Sequence, residues 1–237
     1  MELKPEAVVW EGTVDLLPEF KLERSKMALL IIDMQYLDAH PDFGIGRRAK
    51  ENKTFHKFVY YFDAVREIIP RIQAMQKVSR ERGIEVIFVR IASYVKDCRD
   101  VSLAHKRLNL LAPAGSKEAQ VLEELAPLEN EIVLNKGCSG VFNGTAIDQI
   151  LRNMGIETLI VCGVVTDGCV ETAVRDASDR GYNVILLSDA CATSSPEDHA
   201  HALRILNNSS CKLKTTQEMI NLIVSDSETT KAMAKSI

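Results

Sequence analysis

The chain has no basic charge to spare. Its 29 lysines and arginines face 33 aspartates and glutamates, for a formal charge of −4. A nucleic-acid surface shows as a basic stripe, so no nucleic-acid partner is expected. No apolar run approaches the about 20 residues that a membrane-crossing helix needs, which argues against a membrane partner. Met1 to Glu6 is charged and lacks the apolar core of a signal peptide. A cytoplasmic location is the expectation. The six cysteines, at positions 98, 138, 162, 169, 191 and 211, include no C-x-x-C pair, and in a chain this long they do not suggest a disulfide framework. Five inert thiols and one reactive thiol in a reducing compartment is the simplest reading. Internal repeats and linkers are also missing. With 237 residues and 46% apolar content, the chain is read as one domain spanning 1–237 around one core. Residues 1–26 read as an arm lying on the body or on a neighbouring subunit.

What is present is an alternation of apolar runs and helical patterns. Met27 to Met34 is a strand candidate, followed by an irregular stretch and a helix from about Asp63 to Arg82, softly broken near Pro70 and ended by Gly83. Strands follow at Ile84–Ile91, Glu131–Asn135, 158–162 and Tyr182–Leu187, with a possible short edge strand at Lys212–Lys214. Helices are expected at Glu118–Leu125, Thr145–Met154, Val170–Arg180, Pro196–Leu206 and Thr216–Val224. This order predicts a three-layer α/β/α fold with a Rossmann-like parallel sheet of five to six strands. Such sheets place ligands at the carboxyl ends of their strands.

Three residues close strands at that edge. Asp33 interrupts Leu29-Leu30-Ile31-Ile32, where a carboxylate is costly unless paired or functional; the competing reading is a turn cap. Lys136 follows Ile132-Val133-Leu134-Asn135, and taken alone reads as an ordinary exposed lysine. Cys169 lies in Gly163-Val164-Val165-Thr166-Asp167-Gly168-Cys169, between an apolar strand and a helix. Free N–H groups and the helix dipole at that position favour a thiolate and a lowered thiol pKa.

Together these residues resemble the isochorismatase-like cysteine hydrolases. The resemblance runs from about Ala28 to Ala192. It rests on Ile31-Ile32-Asp33-Met34-Gln35, Lys136-x-x-Ser139-Gly140-x-Phe142, Gly163-x-x-Thr166-Asp167-x-Cys169-Val170 and Ser188-Asp189-Ala190-Cys191-Ala192. It implies a Cys169–Asp33–Lys136 triad in which Asp33 carries the proton, Lys136 supports the thiolate, and Cys169 attacks a carbonyl to leave a thioester. It also places a non-proline cis peptide at Val164–Val165 and an oxyanion hole at the N–H groups of Val165 and Cys169. Family members that cleave isochorismate lack the cysteine, so an amidase is the better fit.

The nicotinamidase branch binds metal through an Asp-x-His pattern after the second strand. The matching stretch here, Val89-Arg90-Ile91-Ala92-Ser93, has no histidine, His40-Pro41 comes too early, and His199 and His201 do not share a helix face. No metal and no cofactor are expected. The resemblance points to the metal-free branch acting on ureido, carbamoyl or biuret-like amides, with Ser139-Gly140-Val141-Phe142-Asn143 most like the ureidoacrylate hydrolases. Substrate recognition is expected in Tyr36 to Phe62, which holds seven of the thirteen aromatics, among them Tyr61, and reads as a lid or subunit-contact insertion. Its competing reading is a solvated helix with an aromatic core face. Gln35, Tyr36, Arg90, Ser139, Phe142 and Asn143 are candidate substrate contacts, Arg90 for a carboxylate or else in a structural ion pair. The partner implied is a small amide or ureide, and the family implies a homo-oligomer, dimer or tetramer. A phosphate-loop reading of Gly163-x-x-x-x-Gly168 fails because Cys169-Val170 stands where Lys and Ser or Thr are required. Remaining alternatives are a nicotinamidase-type or isochorismatase-type hydrolase, or an idle binding member of the fold.

Overall fold

The computed structural model describes residues 17–234, with side chains through Ser225. Of the expected arm, residues 1–16 lie outside the described residues. Six parallel strands form one sheet in the order β3-β2-β1-β4-β5-β6. They are β1 (Met27–Ile32), β2 (Glu85–Ile91), β3 (Ile132–Lys136), β4 (Thr158–Val164), β5 (Asn183–Ala192) and β6 (Lys212–Lys214). The helices are α1 (Gly44–Glu51), α2 (Val59–Arg82), α3 (Leu103–Leu108), α4 (Val141–Gly144), α5 (Ile147–Asn153), α6 (Glu171–Asp179), α7 (Pro196–Leu206) and α8 (Thr216–Ala234). Every residue of β1 and β4 is buried, as parallel strands covered on both faces must be. β1 and β4 run side by side in register from Met27↔Thr158 to Ile32↔Gly163. Gly163 makes that approach possible: its φ is +119°, and a Cβ there would sit 2.1 Å from the carbonyl oxygen of Ile32.

Two local expectations need correction. The helix expected over Glu118–Leu125 is only a 3-10 turn at Glu123–Leu125. Before it lies a turn, closed by Gln120 N–H donating to Lys117 O, and a bridge at Val121, because this stretch pairs with the segment leaving β1: Tyr36 N–H donates to Gln120 O, Leu37 N–H to Glu118 O and Leu122 N–H to Met34 O. Pro70 does not break its helix, since α2 runs through it from Val59 to Arg82. The helix expected over Thr145–Met154 is α5, and a separate short helix, α4, precedes it, the two parted where the Thr145 hydroxyl donates to Val141 O and accepts from Ile147 N–H. Within the 36–62 segment, α1 stands on the Leu37 carbonyl through Ile45 N–H, and Phe55, Phe58, Tyr61 and Phe62 pack on the core while Tyr60 is exposed.

Candidate active site

The carboxyl ends of β1, β3 and β4 bring Asp33, Lys136 and Cys169 together. Asp33 has a left-handed backbone (φ 53°), which aspartate tolerates better than most residues. Its N–H donates to Val89 O, and its own carbonyl accepts from Gln35 N–H. The chain therefore turns sharply off β1 with Asp33 pinned between β1 and β2. Gln35 completes the pin. Its side-chain amide donates to the Ile91 and Glu118 carbonyls, and its oxygen accepts from Ile91 N–H.

Lys136 is fully buried, where the sequence alone reads as an exposed lysine. Its Nζ lies 2.8 Å from Asp33 Oδ2, and donates to Cys138 O at 3.1 Å and to Cys169 Sγ at 3.2 Å. An ammonium has three hydrogens, so this one is saturated. Burial works against its charge, but the Asp33 carboxylate and the hydrogen bonds to Asp33 and Cys169 outweigh burial and hold its pKa above the ordinary lysine value. Lys136 is a fixed cation.

Cys169 sits in a π-turn, Thr166–Val170, closed by Val170 N–H donating to Val165 O. The peptide between Val164 and Val165 is cis. The residue is partly exposed, so a small reactant can reach it. The thiol pKa is pushed up, first by burial and then by the facing Asp33 carboxylate, and Lys136 only partly offsets them. The expectation of a lowered thiol pKa from the helix terminus is therefore reversed. Burial and a like-signed neighbour outweigh a helix dipole, whose effect is confined to one turn.

A second network stands behind the turn. His199 Nε2 lies 3.1 Å from Ser188 O and Nδ1 lies 2.9 Å from Thr166 Oγ1. A carbonyl only accepts, so Nε2 carries the hydrogen, and Nδ1 of the neutral ring accepts from Thr166. Burial lowers the His199 pKa, in keeping with the neutral ring. Asp167 accepts from the Thr193 hydroxyl and secures the other side of the turn.

The remaining sequence candidates lie elsewhere or are already engaged. Arg90 donates to Asn135 Oδ1 at 2.8 Å, and by strand alternation these two residues occupy the sheet face opposite Lys136. Tyr36 is buried against His40 and Phe43 with Lys117 over its ring. Phe142 packs with Tyr182 and Arg180. Ser139 and Asn143 are exposed, Ser139 lying 3.3 Å from His105 Nε2. Three further buried groups interact with the charges of this cluster, two of them inside the 36–62 segment expected to recognise substrate and one, His105, outside every expected site. These are Asp38, Tyr61 and His105, all in irregular segments or at helix starts where periodicity carries no signal. Among the described residues, no group of three or more His, Cys, Asp or Glu is placed to hold a metal ion. No helix among them is long and apolar enough to cross a membrane.

Comparison with known proteins follows the same outline. Residues 27–218 match the isochorismatase domain. An uncharacterized isochorismatase family protein, YwoC of Bacillus subtilis (strain 168), is 27% identical over 207 residues, which cover 85% of this chain and 96% of YwoC. An N-carbamoylsarcosine amidase of Arthrobacter sp is 31% identical over 124 residues, 50% of this chain and 47% of the amidase. Among solved structures, a cysteine hydrolase from Pseudomonas syringae pv. phaseolicola 1448A superposes with a TM-score of 0.76 at 26% identity, over 87% of this chain and 96% of that one. The N-carbamoylsarcosine amidase of Thermoplasma acidophilum shares the fold, with a TM-score of 0.60 at 23% identity over 81% of this chain and 98% of that one.

Proposed function

The chain belongs to the isochorismatase family of hydrolases, and from that premise we propose that it hydrolyses a C–N bond of a small amide or ureido or carbamoyl compound through a thioester on Cys169. The observation that carries this reading is the lysine bridge: one buried ammonium touches both the Asp33 carboxylate and the Cys169 sulfur. Resting chemistry follows from the charges. The thiol is protonated, Asp33 is ionised against Lys136, and a base is therefore waiting beside a nucleophile.

As sulfur attacks the carbonyl carbon, the S–C bond forms and the thiol proton passes to Asp33. The carbonyl π electrons move onto oxygen, where the N–H groups of Val165 and Cys169 would receive them. Donors of that kind typically contribute ~10²–10³ in rate each. The oxyanion then re-forms the carbonyl and the C–N bond breaks. The leaving nitrogen takes the proton from Asp33 and departs as ammonia or an amine. Water, deprotonated by Asp33, attacks the thioester carbonyl, and the released sulfur recovers its proton from Asp33. Lys136 holds its charge throughout and stabilises the departing thiolate.

The amidase relatives support a nitrogen leaving group, and the saturated donors of Lys136 leave its ammonium to the reaction rather than to substrate anchoring. The test is ammonia or amine release from a panel of ureidoacrylate, biuret, N-carbamoyl amino acids, nicotinamide and maleamate, with Cys169→Ala as blank. Cysteine-dependent release from a ureide or amide is expected. Equal release by Cys169→Ala would refute the reading.

A further inference from the structure

Two of the hydrogens of Lys136 go to reacting groups, and the third goes to a backbone carbonyl, that of Cys138. The loop that carries this carbonyl, residues 137–140, therefore helps to aim the ammonium. It is pinned on either side of Cys138 to one short segment. On one side Ser102 N–H donates to Gly137 O at 2.8 Å. On the other, Ser139 Oγ lies 3.3 Å from His105 Nε2. The loop rests directly on that segment, since a Cβ at Gly137 would lie 3.3 Å from Asp100 O and 3.4 Å from Val101 Cα.

The segment beneath is itself fixed. The Asp100 carboxylate accepts from the Ser93 hydroxyl and from Tyr94 N–H, which ties it to the chain leaving β2. Ser102 caps α3 by accepting from His105 N–H, so the residue that holds Gly137 also sets the backbone of His105.

His105 is 1% exposed, and its Nδ1 is buried without a hydrogen-bond partner. A buried orphan N–H is tolerated less often than a buried orphan acceptor, so the hydrogen sits on Nε2 and is donated to Ser139 Oγ. Burial, and then the charge of Lys136, disfavour a second proton on the ring. Filling this volume asks only for an apolar side chain, and a polar ring is costly to bury unless it makes a hydrogen bond. The contact with Ser139 is the side-chain bond that this ring makes.

We propose that His105 is a positioning residue for the reaction centre: by donating to Ser139 it holds the Cys138 carbonyl against the Lys136 ammonium, and so keeps that ammonium aimed at the Cys169 sulfur. The path is continuous, from the ring to Ser139, along the chain to Cys138 O, and through Nζ to Sγ. Without the pin the carbonyl drifts, the ammonium loses its third acceptor, and its hydrogen bond to sulfur weakens. The thiolate formed in each half of the reaction is then less well supported. Only this last step rests on the hydrolase reading above.

The experiment is carbamidomethylation of Cys169 near pH ~8.5, followed by peptide mass spectrometry, with folding of each variant checked by its thermal transition. The rate follows the thiolate fraction, which changes about tenfold per pKa unit. An asparagine amide nitrogen falls where Nδ1 lies and a glutamine amide nitrogen where Nε2 lies, so only glutamine reaches Ser139. Ser139→Ala and His105→Asn should each slow labelling on the order of threefold or more, about half a pKa unit. His105→Gln should recover most of the rate lost in His105→Asn. The double variant should be no slower than the slower single variant, because both break the same contact. A Ser139→Ala that labels at the wild-type rate or faster overturns the proposal, and that exposed position needs no core variant to fold. Equal slowing by His105→Gln and His105→Asn also overturns it, since the ring then serves only as packing.

A turnover arm separates this inference from the reading beneath it. With any amide or ureide that the enzyme cleaves, Ser139→Ala and His105→Asn should lower kcat and leave KM little changed. Labelling that responds as described, with no nitrogen released from any amide or ureide, would uphold the positioning role and fail the hydrolase reading. Cysteine-dependent turnover with labelling unmoved in Ser139→Ala would do the reverse.

Discussion

The centre of the sheet and its carboxyl edge are equally buried and built on opposite terms. Along β1, from Met27 to Ile32, every side chain is apolar and no more than 1% exposed. One residue later Asp33 is also buried, and across the edge lies Lys136. The centre is held by burial of apolar area, about 25 cal/mol per Å², and each residue there contributes on its own. At the edge each group is tolerable only because of another. The two regions should therefore fail differently when altered.

The largest effect belongs to the edge and touches function alone. Cys169→Ala should lower turnover by ~10⁴-fold or more and leave the thermal transition near that of the wild type, because the thiol's side-chain hydrogen bonds run to the reacting groups Asp33 and Lys136. Stability comes next. Lys136→Met strands the Asp33 carboxylate and should cost about 3–5 kcal/mol in urea unfolding. Adding Asp33→Asn removes the stranded charge and should recover most of that loss while turnover stays abolished. At the centre, Leu30→Ala should cost about 2–5 kcal/mol, and no polar change elsewhere should recover it. If Asp33→Asn leaves Lys136→Met as unstable as before, the edge is not a coupled pair.

A smaller effect sharpens the order of charges within the edge. Because burial and Asp33 raise the Cys169 pKa, carbamidomethylation of Cys169 should still be climbing with pH beyond the ~8.5 of an ordinary cysteine. Asp33→Asn removes one raising influence and should move the profile to lower pH. A rate already level at pH 7 in the wild type would reverse this assignment.

How the chain announces these two regions differs as well. The centre is legible from its apolar runs, and the parallel order follows from strands alternating with helices. Asp33, Lys136 and Cys169 are legible because each polar residue closes or follows an apolar strand. Asp38, Tyr61 and His105 give no such signal. Their neighbours form irregular segments or helix starts, and only the tertiary fold brings them to the cluster. Glu118–Leu125 misleads because its backbone hydrogen bonds go to the chain leaving β1, a long-range pairing that no local pattern encodes. The direction of the Cys169 pKa was equally hidden. A helix terminus can be read from sequence, whereas desolvation and a facing carboxylate cannot.

The smallest effect concerns the support behind the turn. His105 and His199 both have pKa values lowered mainly by burial. Below about pH 6.5 the unfolded chain binds protons at these histidines that the folded chain resists. Stability should therefore be full above that pH and decline as pH falls through the lowered folded-state values. His199→Gln should flatten part of that decline in urea titrations between pH 7 and 5. An unchanged slope would remove His199 from the account.

The most direct test of the central claim is rapid acid quenching of the enzyme during turnover of an active amide or ureide, followed by peptide mass spectrometry. The account predicts the substrate's acyl group on the peptide carrying Cys169, labile to hydroxylamine and missing from Cys169→Ala. Undiminished turnover with the acyl group on Cys138, or with no acylated cysteine and an active Cys169→Ala, would contradict it.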